Sequence, residues 1–201
     1  MKFNLQQYTH WIFDMDGTLT LGIHDFDAIR AELGLPEGKP ILEALAELPV
    51  TEAQRLHQQL DEIELEIARQ STAAPGAESL LSALTAKGYQ LGILTRNNEV
   101  NITATLKAAG LNHFFEPKTL ISRNCAAPKP DPAGIHLLLN HWQAVPDKTV
   151  MLGDHLFDLT TGRAAGTATI HIDRSGEFPH QQQADLSVQE LDELLPCLTS
   201  S

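Results

Sequence analysis

The sequence predicts an α/β fold: a parallel sheet flanked by helices, interrupted once by a small all-helical insert. Three observations carry this. Four short apolar runs, the first within "WIFDMDGTLT" at 11–20 and the others "YQLGILT" at 89–95, "TVMLGD" at 149–154 and "TATIHID" at 167–173, are bounded by polar or glycine signals, as strands buried on both faces are. Longer helical patterns lie between the later runs, and alternation of this kind builds parallel sheets. The stretch 21–73 breaks the alternation, offering helical patterns without a convincing strand. The core is therefore expected over 1–20 and 74–201, with a helical cap over 21–73.

Taken in order, "DFDAIRAEL", "PILEALAEL" and "TEAQRLHQQLDEIELEIARQ" supply the helices of the insert, separated by the breakers "GLPEGKP" and "LPVT". The last of the three gathers many acids on one face, and a solvated face accounts for them. "STAAPGAESLL" returns the chain to the core through Pro75 and Gly76. "NEVNITATLKAAG" ends on Gly110, a helix stop, and "DPAGIHLLLNHW" opens with Pro132 just after Asp131, a helix start. The tail "ADLSVQELDELLPCLTSS" reads as an edge strand or turn followed by a closing helix.

With 201 residues, 42% apolar and 20% charged, the chain reads as an ordinary globular protein. No apolar run approaches the roughly 20 residues that cross a bilayer, and the start "MKFNLQQYTHW" lacks a secretion signal, so a cytoplasmic monomer away from membranes is expected. A formal charge of −12 argues against a nucleic-acid backbone as partner. Cys125 and Cys197 sit at no metal or redox spacing, and the nine histidines show no zinc-ligand spacing.

In an open parallel sheet, ligands bind beyond the carboxyl ends of the strands. The polar residues there are Asp14 and Asp16, then Thr95, then Asp154 and Asp158, with Lys129 in the loop "APKPDP". Such a carboxylate cluster repels itself unless a hard divalent cation sits within it, and Mg²⁺ suits these oxygens while keeping sites for water and phosphate. A hydroxyl and an ammonium are then free to bind phosphate oxygens. Asp14 and Asp16 are two apart, so an extended segment points both the same way, one to attack and the other to move a proton. Asp154 and Asp158 are four apart, which a turn entering a helix keeps close. Arg96 and Arg123 are candidates for the rest of an anionic substrate, with surface ion pairing as the alternative. His24 is placed to reach the cleft from the start of the insert.

"DMDGTLT", "ILTRN", "PKPDP" and "GDHLFDL", in that order, resemble the four motifs of the haloacid dehalogenase superfamily in its phosphatase branch, phosphoglycolate phosphatases included. The resemblance implies a Rossmann-like core with a helical cap and Mg²⁺-dependent hydrolysis of a small phosphorylated metabolite through an aspartyl-phosphate. It implies Asp14 as nucleophile, Asp16 as acid and then base, and Thr95 and Lys129 as phosphoryl holders. Asp14, the main-chain carbonyl of Asp16, and Asp154 would bind Mg²⁺, with Asp158 ligating or orienting through water. A phosphomutase using the same intermediate and a phosphoacceptor signalling module are the alternatives. Two departures stand out. "LTLGIHDFD" replaces an Asp-Ser pair common in relatives, and His155 stands where a small hydroxyl residue is common. The short insert implies a relatively open site.

Overall fold

The computed structural model describes residues 4–199; the first three residues of the amino terminus and the last two of the tail lie outside that range. Six strands, β1 (His10–Phe13), β2 (Gln90–Leu94), β3 (Leu120–Ile121), β4 (Thr149–Gly153), β5 (Ala168–Ile172) and β6 (Leu186–Val188), form one sheet. Their order is β3-β2-β1-β4-β5-β6, and every neighbouring pair is parallel. The chain builds outward from β1 to β3, then returns to the other side of β1 and builds outward again. β1 and β4 therefore flank the point where winding reverses, which is where an open sheet leaves a crevice at its carboxyl edge.

Among the described residues eight α-helices accompany the sheet: α1 (Phe26–Glu32), α2 (Ile41–Ala46), α3 (Val50–Ala68), α4 (Ala77–Ala86), α5 (Glu99–Ala108), α6 (Ala133–Trp142), α7 (Leu156–Ala164) and α8 (Leu195–Thr199). Strand residues alternate between two apolar layers, as the twofold period of a strand requires. Trp11 and Phe13 join Leu80, Leu81 and Leu84 of α4 on one face, while Ile12 joins Ile135 and Leu138 of α6 on the other. Close approach of α6 depends on Gly134, where an added Cβ would lie 2.4 Å from Leu94 Cδ1. The helix signals at Gly110 and Pro132 fall where expected: Gly110 follows α5 with φ +73°, and Pro132 caps α6 while Asp131 accepts the Ala133 N–H at 2.8 Å.

Two elements depart from the sequence reading. β3 was not expected; it is only two residues long and carries too short an apolar pattern to register. The acidic face of α3 is not wholly solvated. Asp61 and Glu64 turn toward the core, where Arg123 donates to Asp61 at 2.6 Å and to Glu64 at 2.9 Å. Asn98 and Asn101 of the core also donate to these two carboxylates, at 2.8 and 3.2 Å.

α1–α3 lie between β1 and β2 and pack around their own apolar cluster of Ile29, Leu33, Leu35, Ile41, Leu45, Leu56 and Leu60. The two chain crossings into this insert run side by side. Ala74 N–H donates to the Leu19 carbonyl at 2.9 Å and Leu21 N–H to the Thr72 carbonyl at 3.1 Å. At the far side, Arg96 holds Glu43 of α2 with contacts of 2.6 and 2.9 Å. The short insert thus supplies one wall of the site. Among the described residues no helix is long and apolar enough to cross a membrane.

The two ion pairs at the insert differ in burial, and that decides their weight. Arg123 and Glu64 side chains are 7% and 10% exposed, whereas Glu43 is 39% exposed. Removing one member of a buried pair strands the other charge, which costs about 3–5 kcal/mol, while an exposed pair contributes about 1 kcal/mol or less. Urea denaturation is expected to show Arg123→Leu losing roughly 3–5 kcal/mol and Glu43→Ala about 1 kcal/mol or less; equal losses would refute this ranking.

Candidate active site

Asp14 immediately follows β1, and its N–H continues the ladder by donating to the Leu152 carbonyl of β4 at 2.9 Å. Its carboxylate is buried at the winding reversal. Lys129, in the loop between β3 and α6, is buried beside it and donates to Asp14 Oδ1 at 2.5 Å and Asp158 Oδ1 at 2.5 Å. Asp158 stands in the first turn of α7, where its other oxygen accepts the His155 N–H at 2.9 Å. His155 Nδ1 in turn accepts the Phe157 N–H at 3.1 Å, completing a reciprocal cap. One carboxylate therefore serves both the helix start and the buried ammonium.

Asp154 follows β4, with Thr18 Oγ1 donating to its Oδ1 at 3.3 Å. Carboxylate oxygens of Asp14, Asp154 and Asp158 all lie within 4.8 Å of one another. The Asp16 carboxylate is not in this group. Its Oδ2 accepts the Asn97 side-chain amide at 2.6 Å, and His24 Nδ1 approaches its Oδ1 at 3.9 Å. Thr95 follows β2 and is buried; its Oγ1 accepts the Asn97 N–H at 3.1 Å, which leaves its own hydrogen to donate elsewhere.

Electrostatics in this cluster follow from burial against charge. Burial raises Asp14 to about 6, with Asp158 adding to the rise and Lys129 opposing it. Burial and then the Asp14 charge raise Asp16 to about 7, against the Asn97 hydrogen bond. Asp154 is pushed up to about 8 by burial, Asp14 and Asp158. Burial alone would lower Lys129, but Asp14 and Asp158 outweigh it and raise the ammonium further. Four carboxyl groups share one ammonium here, so protons are held more tightly than usual.

A cavity of about 400 Å³ opens over these groups. Its floor is the core cluster, and its walls include Phe26, Ile41, Leu42 and Leu60 from the insert. His24 and His155 both line it. Burial lowers both histidines, so each is neutral at pH 7.

Arg96 and Arg123 also line the cavity, but their charges are engaged. Arg96 donates to Glu43 and to the Lys129 carbonyl at 2.6 Å, with its guanidinium 4.5 Å from the Phe157 ring centre. Arg123 donates to Asp61, Glu64 and the Arg96 carbonyl. Both arginines thus take the ion-pairing alternative in this structure. Asn97, Asn98, Glu43 and Glu64 were not singled out from the sequence. "TRNN" at 95–98, four polar residues in a row after an apolar strand, was the available signal.

The sequence profile of the haloacid dehalogenase-like hydrolase family matches residues 11–172. A probable phosphatase of Dickeya dadantii is 32% identical over 184 residues, covering 80% of this chain and 79% of that protein. A pyrophosphatase of Listeria innocua is 28% identical over 214 residues, covering 93% and 94%. The crystal structure of a predicted phosphoglycolate phosphatase from Haemophilus somnus matches the fold with a TM-score of 0.75 at 22% identity, over 94% of this chain and 97% of that one. The motifs lie within the matched span, and the strand ends that carry them converge on one cavity. The chain belongs to the haloacid dehalogenase-like hydrolase family.

Proposed function

We propose that the protein is a Mg²⁺-dependent phosphomonoester hydrolase acting on a small phosphorylated metabolite through an aspartyl-phosphate on Asp14. One observation carries the reading. Asp14 is buried against the Lys129 ammonium at 2.5 Å, which favours its ionised form, while Asp16, two residues on, is raised to about 7 and holds a proton near neutrality. A nucleophile needs the first state and a general acid the second.

In the transfer step an Asp14 oxygen attacks phosphorus, and the ester P–O bond breaks with its electron pair going to the leaving oxygen. Asp16 gives that oxygen a proton. A water then attacks phosphorus and passes its proton to the Asp16 carboxylate, while the P–O bond to Asp14 breaks and frees phosphate. Lys129 and the Thr95 hydroxyl hold the phosphoryl oxygens through both steps. The insert's apolar wall of Phe26, Ile41 and Leu42 lines the cavity on the side of the leaving group.

The donor set fits a hard divalent cation. Oxygens from Asp14, Asp154 and Asp158 cluster within 4.8 Å, and burial with the Asp14 and Asp158 charges raises Asp154 to about 8 against the opposing Lys129 charge. Those three side chains and the Asp16 main-chain carbonyl would hold Mg²⁺, which when bound supplies charge neutralisation for phosphate oxygens.

Phosphate release from p-nitrophenyl phosphate tests the reading. Turnover is expected to stop with a chelator and return with Mg²⁺, and Mg²⁺ is expected to raise the melting temperature of the native chain. Asp14→Asn is expected to lose at least about 10³-fold in kcat. Activity that survives Asp14→Asn, or a stable acyl phosphate with no turnover, would overturn the hydrolase reading.

Lys129 supplies a second test. Lys129→Met is expected to abolish turnover and, by leaving buried Asp14 and Asp158 unpaired, to cost about 3–5 kcal/mol in urea denaturation. A variant as stable and as active as the native chain would remove the ammonium from the mechanism.

A further inference from the structure

Asn97 joins the acid-base residue to the strand end that carries Thr95, and no step described above uses it. Its side-chain amide donates to Asp16 Oδ2 at 2.6 Å across 81 residues of sequence, and both groups are largely withdrawn from solvent. The Asn97 backbone is fixed on both sides. Its N–H donates to Thr95 Oγ1 at 3.1 Å, and its carbonyl accepts the Arg123 N–H at 2.9 Å. The amide is therefore delivered to Asp16 from a rigid support.

Resting on the phosphatase reading, we propose that Asn97 is the positioning residue of Asp16, fixing Oδ2 as acceptor so that the transferable proton sits on Oδ1. A carboxyl oxygen that already accepts an N–H cannot also point a hydrogen at the same donor. Oδ1 is the oxygen on the side of His24, whose ring lines the cavity. When the leaving oxygen takes the proton from Oδ1, Asp16 becomes a carboxylate and the Asn97 contact becomes charge-assisted, strengthening as the P–O bond breaks. In the second step Oδ1 takes the proton of the attacking water and the contact returns to its first state. Asn97 thus acts through Asp16 and touches neither phosphorus nor the leaving group.

Two esters of similar size separate this role from a structural one. Nitrophenolate leaves without being protonated, whereas the benzyl alkoxide needs the proton. The value of kcat/KM covers binding and the transfer step but not the later hydrolysis of the aspartyl-phosphate. For Asn97→Ala, kcat/KM is expected to fall about 10²-fold on benzyl phosphate and less than about fivefold on p-nitrophenyl phosphate. Asn97→Asp keeps the shape, exchanges the donor for an acceptor, and is expected to show the same split. Equal losses on the two esters, or native benzyl phosphate activity in Asn97→Asp, would overturn the inference while the phosphatase reading stands. A native chain that hydrolyses neither ester in Mg²⁺ would overturn the reading and the inference together.

Discussion

Lys129 Nζ lies 2.5 Å from Asp14 and 2.5 Å from Asp158, with all three side chains nearly closed off from water. Withdrawing each charge costs several kcal/mol, and the mutual attraction offsets that cost only when geometry is good. Geometry is fixed here from three directions: the end of β1, the loop before α6, and the first turn of α7. The second oxygen of Asp158 is committed to the α7 cap at 2.9 Å, so the position of the ammonium follows from the helix start. Asp16 and Asp154 then stand beside a triad whose single ammonium is already taken by two carboxylates. Their carboxyls are raised to about 7 and about 8, and the cluster is left with a surplus of negative charge. A surplus of this kind works against folding and is found where catalysis has use for it.

The segment 95–98 extends the same economy to the insert. Thr95, Arg96, Asn97 and Asn98 face, in turn, the cavity, Glu43 of α2, Asp16, and Asp61 of α3. Asn98 also caps α5 by accepting the Asn101 N–H at 2.8 Å. One strand end therefore holds the Asp16 carboxyl and anchors two helices of the wall above it. Displacement of the insert would be felt at Asp16 through adjacent residues, with no long relay.

Much of this was legible in the residues. Asp14, Asp16, Thr95, Lys129 and Asp154 stand at strand ends or in a proline-flanked loop, positions that a parallel sheet brings together, and all five line one cavity. The insert was legible because its apolar residues repeat with a helical period and no strand interrupts them. Contacts between distant segments were not. Glu64 lies on a helix whose neighbouring acids Glu62 and Glu66 are exposed, and only packing against α5 turns it toward Arg123 and Asn101. Nothing local in "DEIELEI" distinguishes Glu64 from Glu62 or Glu66. β3 was missed for a different reason: two residues are too few for alternation to show, and the strand exists because β2 offers it an edge.

The point of insertion also has a mechanical meaning. The insert leaves the core four residues after Asp16 and re-enters beside its own exit, with residues 19–21 bonded to 72–74 as a short antiparallel ribbon. A body held by two adjacent strands has one easy motion, rotation about the ribbon. Contacts farther out govern that rotation, and Arg123 with Glu64 outweighs Arg96 with Glu43 because its charges are shielded from water. His24 lies close to this pivot and 3.9 Å from Asp16, so it moves little when the outer wall moves far. Asp16 lies between His24 beside this ribbon and Asn97 at the end of β2, so its carboxyl is referenced to the pivot on one side and to the core on the other.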